Sequence, residues 1–431
     1  MTRRFRAIRN DPLSFLEHTQ SRYGDLVAFP VPGVPAVLLN DPEAVRHVLQ
    51  GNAGNWTKAT VQYSALAAVT GPGLLAVSDD RWLGRRRIAA PAFHYSRLDV
   101  IGASVAQAGR KVVDSWASLA AAGEVVDVDV LSMQITLDVM GQTLFDRDLS
   151  DVTDELVRAT EEAAELVVAQ GRSLPWPSWV PTSVNRRLRV SVAALDHICR
   201  RLVTDRRAHG VSARDTDLLG LLVAAGLPDD AIRDELVTMV IAGHETVASA
   251  LTWTLMLLAE HPEAQSRLRA EAREAGEWTP LRLREQLPWT RAVIDESLRL
   301  FPPGWVLSRK ATRADSVGGQ SVPAGTLAIV SPWLLHRNAH SWPDPSEFRP
   351  ERFLGEMGTR ARPDYVPFGL GPRLCIGRDF ALVELTVLLV ELLRDHAVEL
   401  PSGWKRPELN AFVTLRPRGG LRLVIRRSSV P

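Results

Sequence analysis

One helix sets the scale of this chain. The stretch from about Asp229 to Glu260 reads as a single helix, with Asp229 or Asp230 as its cap and His261-Pro262 as its stop. At ~1.5 Å per residue such a helix crosses the whole molecule, so the remaining elements must pack around it. It belongs to a longer region, from about residue 97 to residue 300, where the apolar period is helical and strand signals are few. The Pro/Trp-rich break Leu174–Pro181 divides that region, because proline cannot continue a helix. Strand signals lie near the two ends. Leu26–Phe29 and Ala36–Leu39 surround Pro-Gly-Val-Pro, and Asp41 then caps a helix with Pro42 at its first position. After Pro302-Pro303 come Val306–Arg309, Ser316–Val322 and Leu327–Val330, with Gly318-Gly319 and Pro323-Ala-Gly325 as turns. Ala411–Leu415 and Leu421–Ile425 bracket Gly419-Gly420 and read as a hairpin. No repeat, low-complexity tract or linker interrupts the chain. The fold class is mainly α with small β-sheets (α+β), in a single domain over residues 1–431.

Composition narrows the function. The 431 residues are 45% hydrophobic, enough for a large core, and the net charge of +1 carries no signal for nucleic acid. Lysine occurs only at Lys58, Lys111, Lys310 and Lys405. The N-terminus, Met-Thr-Arg-Arg-Phe-Arg-Ala-Ile-Arg, has no apolar core of a signal peptide, and no run is long enough for a bilayer. A soluble, cytoplasmic protein without a transmembrane anchor is expected. Of the two cysteines, Cys199 lies in an amphipathic helical stretch and reads as packing.

The other cysteine is different. Phe368-Gly-Leu-Gly-Pro-Arg-Leu-Cys375-Ile-Gly377 places it in a loop with three glycines, directly before a long apolar helix. Glycine lets a backbone approach a flat cofactor, loop amides can point at sulfur, and a helix N-terminus favours a thiolate. The order Phe368, Gly369, Gly371, Arg373, Cys375, Gly377 resembles the haem-binding loop of the cytochrome P450 family, with no departure at a fixed position. Four further segments are similar to that family. Ala242-Gly-His-Glu-Thr246 interrupts the long helix with a glycine that costs about 1 kcal/mol relative to alanine. Glu296-Ser-Leu-Arg299 puts an acid and a base on one helix face, and Phe348-Arg-Pro-Glu-Arg352-Phe353 follows about fifty residues later. Trp82-Leu-Gly-Arg-Arg86 shares a face at i, i+4, and Arg309 follows the Pro-Pro turn.

The resemblance implies a long central helix over haem b, with Cys375 as the iron ligand. It implies that Trp82, Arg86, Arg309 and Arg373 hold the propionates, with Phe368, Gly369, Gly377 and Ala242 against the macrocycle. Thr246 would donate to the oxygen at iron and Glu245 would relay protons. Glu296, Arg299 and Arg352 would form a buried structural triad. His244 and His336 are read as structural. The implied reaction inserts one atom of O2 into a hydrophobic small molecule of terpenoid, polyketide or fatty acyl type, in secondary metabolism. A peroxide-using peroxygenase and a non-catalytic haem or ligand carrier are the alternatives. No flavin or iron–sulfur motif is present, so electrons from NAD(P)H are expected through a ferredoxin or flavodoxin and its reductase. Arg85, Arg87 and Arg378 are candidates for that docking face. Val240, Trp305, Val306 and Phe412 are the expected substrate contacts. Trp176 and Trp179 leave three readings open: a mobile lid, a membrane contact, or packing on neighbouring helices.

Overall fold

The structure is a computed structural model that describes residues 11–29, 35–77, 79–147, 149, 152–172, 180–210, 216–276, 278–355 and 362–428. The Trp176/Trp179 segment lies outside them. The central helix is present but not uniform. It runs as α-helix over Asp229–Met239, as a π-helical turn over Val240–His244, and as α-helix again over Glu245–Glu260. It ends at His261-Pro262 as expected. Its start differs: the extended backbone of Pro228 is the cap, and Asp229 and Asp230 fall in the first turn. There they complement the positive end of the helix dipole and bind Arg207 and Arg200.

The second half of this helix is buried on nearly every face. It packs against the helices Val128–Leu144, Pro288–Leu300 and Arg378–Leu393. Cys199 lies in the Ser183–His209 helix at 1% exposure, and burial pushes its thiol up to about 12, so it stays neutral.

Beside the helices lies a five-stranded sheet in the order Leu26–Phe29, Ala36–Leu39, Leu327–Val330, Leu307–Ala311, Trp56–Thr57. Only the Ala36–Leu39/Leu327–Val330 pair is parallel, with Leu38 opposite Ile329. The Asp41 cap is as expected, its carboxylate accepting from Ala44 N. Two strand readings change. Ser316–Val322 is a hairpin of Asp315–Val317 with Gln320–Val322. The C-terminal pair does not form one hairpin. Leu409–Ala411 pairs with Leu415–Pro417, whereas Arg422–Arg427 lies between Val125–Asp127 and His396–Glu399. The Asp127 carboxylate accepts from Leu421 N just beyond Gly419-Gly420 and draws the chain into that other sheet. Val125–Asp127 is too short to have registered among helical residues.

Candidate active site

The site is built on a brace of buried charge. Glu296 and Arg299 are both 0% exposed and face each other one turn apart. Arg299 Nε and Nη2 donate to the two carboxylate oxygens at 2.7 and 2.8 Å. Its other N–H groups reach the carbonyls of His336, Pro345 and Glu347. Arg352 Nε completes the triad 3.4 Å from Glu296. Such a pair is tolerable in a dry interior because every charge has directed partners.

His336 carries this brace to the cysteine loop. Its Nδ1 donates to Arg299 O and its Nε2 accepts from Val366 N at 2.9 Å. Burial beside Arg299 and Arg337 pushes it down to about 3, which keeps the ring neutral and able to accept. The loop then turns with Gly371 at φ +71°, where a Cβ would sit 2.1 Å from Leu49 O. Only glycine fits there. Cys375 N donates to Phe368 O at 3.0 Å, and the Cys375 side chain is open to a cavity. Burial pushes this thiol up, while the Gly377 N–H, Arg86, Lys58 and Arg378 pull it down.

That cavity collects most of the residues singled out above. Cys375, Phe368, Gly369, Gly377, Trp82, Arg86, Arg309, Arg373, Ala242 and Thr246 all line it. Four cations share one side. Arg86 Nη1 donates to Leu374 O at 2.9 Å. Arg373 stacks on Trp82 with 4.0 Å from its guanidinium carbon to the ring centre, and binds Asp79. Arg309 is 5% exposed and donates to Tyr63 Oη and Ser308 O. Lys58 is the fourth, donating to Leu75 O with its ammonium over the Tyr63 ring. Burial, and then Arg309 and Arg373, hold Lys58 well below the usual lysine range.

Across the cavity the helix widens. Ala242, Gly243, Thr246 and Val247 border it from the π turn and the residues just after. Thr246 Oγ1 donates to Ala242 O at 2.8 Å. A Cβ on Gly243 would come within 2.9 Å of Met140 Cε, so the glycine serves both the break and the packing. His244 faces away, its Nδ1 bonded to Val240 O, and burial pushes it down to about 4. Glu245 is not among the cavity residues. It is 4% exposed, and its carboxylate accepts from Thr414 Oγ1 at 2.5 Å.

A family model named Cytochrome P450 matches residues 4–423. The chain belongs to the cytochrome P450 family. It is similar to cyclooctat-9-en-7-ol 5-monooxygenase of Streptomyces melanosporofaciens, with 32% identity covering 90% of this chain and 85% of that protein. It is also similar to the chloroplastic protein LUTEIN DEFICIENT 5 of Arabidopsis thaliana, at 30% identity over 92% and 71%. Among solved structures, CYP175A1 from a Thermus thermophilus strain superimposes with a TM-score of 0.81 at 33% identity, covering 98% of this chain and 97% of that one.

Members of this P450 family are haem-iron monooxygenases, and the cavity fits that cofactor on its own chemistry. Lys58, Arg86, Arg309 and Arg373 gather on one side with Asp79 as their acid, and Arg373 Nη1 has no hydrogen-bond partner among the described residues. So much positive charge asks for a dianion, and two propionates supply one. Cys375 offers the single thiolate that a haem iron takes.

The expected substrate contacts are placed differently. Val240, Trp305, Val306 and Phe412 do not line the cavity. Val240 is the first residue of the π turn and is 1% exposed. Trp305 Nε1 donates to Phe412 O at 2.9 Å, and Val306 O accepts from Gln62. The wall itself comes from Leu74, Leu75, Met140, Leu144, Met239, Leu298 and Leu307. Arg85 turns inward, 3.6 Å from Glu235. Lys58 and Glu384 are among the polar cavity residues that escaped the motif reading. Lys58 could have been found as one of four lysines. Glu384 could have been found as the one acid within the apolar run Phe380–Val390. It is 3% exposed and burial pushes its carboxyl well above the usual range.

Proposed function

We propose that this P450 oxidises a hydrophobic small molecule of terpenoid, polyketide or fatty acyl type in secondary metabolism. The supporting observation is the apolar part of the lining: Leu74, Leu75, Met140, Leu144, Met239, Val247 and Leu298 form it, with Thr136, Thr238 and Thr246 as its hydroxyls and no charged side chain among them. Such a surface selects by shape and apolar area. Related sequences agree in kind, since cyclooctatin synthase of the same Streptomyces is 31% identical over 94% of this chain.

When bound, haem with a thiolate ligand supplies the cleavage of the O–O bond. The residues of this chain do the rest. Cys375 is the ligand, oriented by the Phe368 carbonyl. Trp82, Arg86, Arg309, Arg373 and Lys58 hold the carboxylates. Thr246 is the cavity hydroxyl nearest the π turn in sequence, and it donates to Ala242 O within that turn. Glu245, joined to Thr414, is one residue behind it and is assigned the proton relay. Glu296, Arg299 and Arg352 brace the loop. Electrons come from NAD(P)H through a ferredoxin or flavodoxin and its reductase. The exposed Arg87 and Arg378 flank the cysteine-loop face on which an acidic partner docks, in a cytoplasmic setting. Among the described residues no helix is long and apolar enough to cross a membrane.

The test is a spectral titration of the haem-loaded protein with apolar precursors, then turnover with a ferredoxin, its reductase and NADPH. One added oxygen atom, labelled from 18O2, is expected in the product. Turnover with peroxide alone and none with the reductase system would overturn the electron route. A thiolate-type carbon monoxide spectrum in Cys375→Ala would overturn the ligand.

A further inference from the structure

The Gly71–Leu75 segment lies flat on the first half of the central helix, and the contacts are unusually close. A Cβ on Gly71 would sit 2.1 Å from Asp234 Oδ1. One on Gly73 would sit 2.1 Å from Thr238 Oγ1 and 2.6 Å from Asp234 O. No other residue type allows that approach. Gly73 O in turn accepts from Ala76 N and Val77 N, which closes the segment into a tight turn.

One side chain holds this turn down. Glu235 is 1% exposed, and its Oε2 accepts from Leu74 N at 2.9 Å. Its Oε1 lies 3.6 Å from Arg85 Nη1, on the helix Asp79–Ala89 that follows the turn. A buried carboxylate is costly unless it is directed at partners, so it marks a place where position matters. Burial pushes Glu235 up to about 7; the Leu74 amide and Arg85 act against that, and Asp234 acts with it. The next residue, Leu75, is fixed from the other side, its carbonyl accepting from Lys58. Leu74 and Leu75 are both wall residues of the cavity.

We propose that Glu235 is a positioning residue for substrate, clamping the Gly71–Leu75 turn to the central helix and thereby setting the largest shape the cavity accepts. It touches neither substrate nor cofactor and acts through Leu74 and Leu75. The inference rests on the reading of this cavity as the substrate chamber. Its ligand class is compact apolar molecules; releasing the clamp admits bulkier ones.

The experiment compares the haem-loaded wild type with Glu235→Ala, Glu235→Gln and Gly73→Ala, and with Asp230→Asn on the same helix as a control. Hydrogen exchange of the peptide covering residues 70–77 reads the clamp directly. Glu235→Ala should speed it about tenfold or more, the factor that goes with losing one hydrogen bond to a charged group. Glu235→Gln retains an acceptor for Leu74 N and should lie between. Gly73→Ala lifts the turn sterically without altering a charge, so it keeps the test open if Glu235→Ala folds poorly. Soret titrations with imidazole and with the bulkier 4-phenylimidazole and clotrimazole read the size limit. The affinity ratio of bulky to small should rise in Glu235→Ala and Gly73→Ala, and stay at the wild-type value in Asp230→Asn. Unchanged exchange, or faster exchange with an unchanged ratio, overturns the proposal. A failure of the haem reading looks different, since the wild type itself would then show no Soret shift with imidazole, while the exchange result still decides the clamp.

Discussion

The floor of the cavity and its distal wall are held by opposite means. Beneath Cys375, the Arg299 guanidinium makes five hydrogen bonds at 0% exposure, two of them to the equally buried Glu296. His336 passes that order to Val366, two residues before the cysteine loop. The distal turn has one amide bond to Glu235, one carbonyl bond to Lys58, and glycine contacts. A floor in which Arg299 is held by five directed bonds has no second arrangement of similar energy. A wall held at two points can be released by removing one of them. The molecule is thus fixed where the metal ligand sits and adjustable where an apolar guest must enter.

The comparison breaks first at Arg299. A lysine there has one point charge and cannot form the bidentate bond, so Arg299→Lys should destabilise the fold by about 3–5 kcal/mol. Urea unfolding measures it; a loss below about 1 kcal/mol would mean that the floor is not tightly determined. Next is Trp82→Phe, which removes an N–H on the cation side. Haem transfer to apomyoglobin should then be roughly tenfold faster, the factor for one hydrogen bond to a charged group. An unchanged rate would leave Trp82 as packing for Arg373 and Arg86. Thr246→Ala should keep NADPH consumption but lower the product formed per NADPH, seen as excess peroxide; full coupling removes Thr246 from the chemistry.

The smallest effect is the most discriminating, because floor and wall should respond to pH with opposite sign. His336 is held down at about 3, so its contribution is complete above about 6.5 and is lost as pH falls through about 3. Glu235 is raised to about 7 from an ordinary 4.5, so its contribution is complete below about 4.5 and is lost as pH rises through about 7. Between pH 5 and 8 the melting temperature of Glu235→Gln should therefore gain on the wild type as pH rises. A constant difference would show that Glu235 keeps an ordinary carboxylate's affinity for protons.

Legibility follows the same division. The floor is encoded in short, contiguous strings: six fixed positions from Phe368 to Gly377, and Glu296 with Arg299 at i, i+3. Motif and geometry coincide there because neighbours in sequence remain neighbours in space. The wall is assembled from Leu74, Met140, Met239 and Leu298, on four separate elements, and no spacing links them. Val240 was named by analogy with the family's fold, and it stands at the start of the π turn beside Met239, which does line the cavity. Trp305 and Phe412 were misplaced because each satisfies the other, a pairing across more than a hundred residues. The course of the last strand depended on Asp127 in the same way.

The π turn over Val240–His244 has a consequence in units of chain length. It accommodates one more residue per turn than the α-helix on either side, so the two halves of the central helix are out of register by a single residue. Winding the turn as regular α-helix with all of its residues kept would swing every later side chain by about 100°. Thr246 would leave the cavity although its identity, its neighbours and its hydroxyl were all retained. At this place the chain is counted as well as read, and the winding of one turn decides where the hydroxyl after it lies.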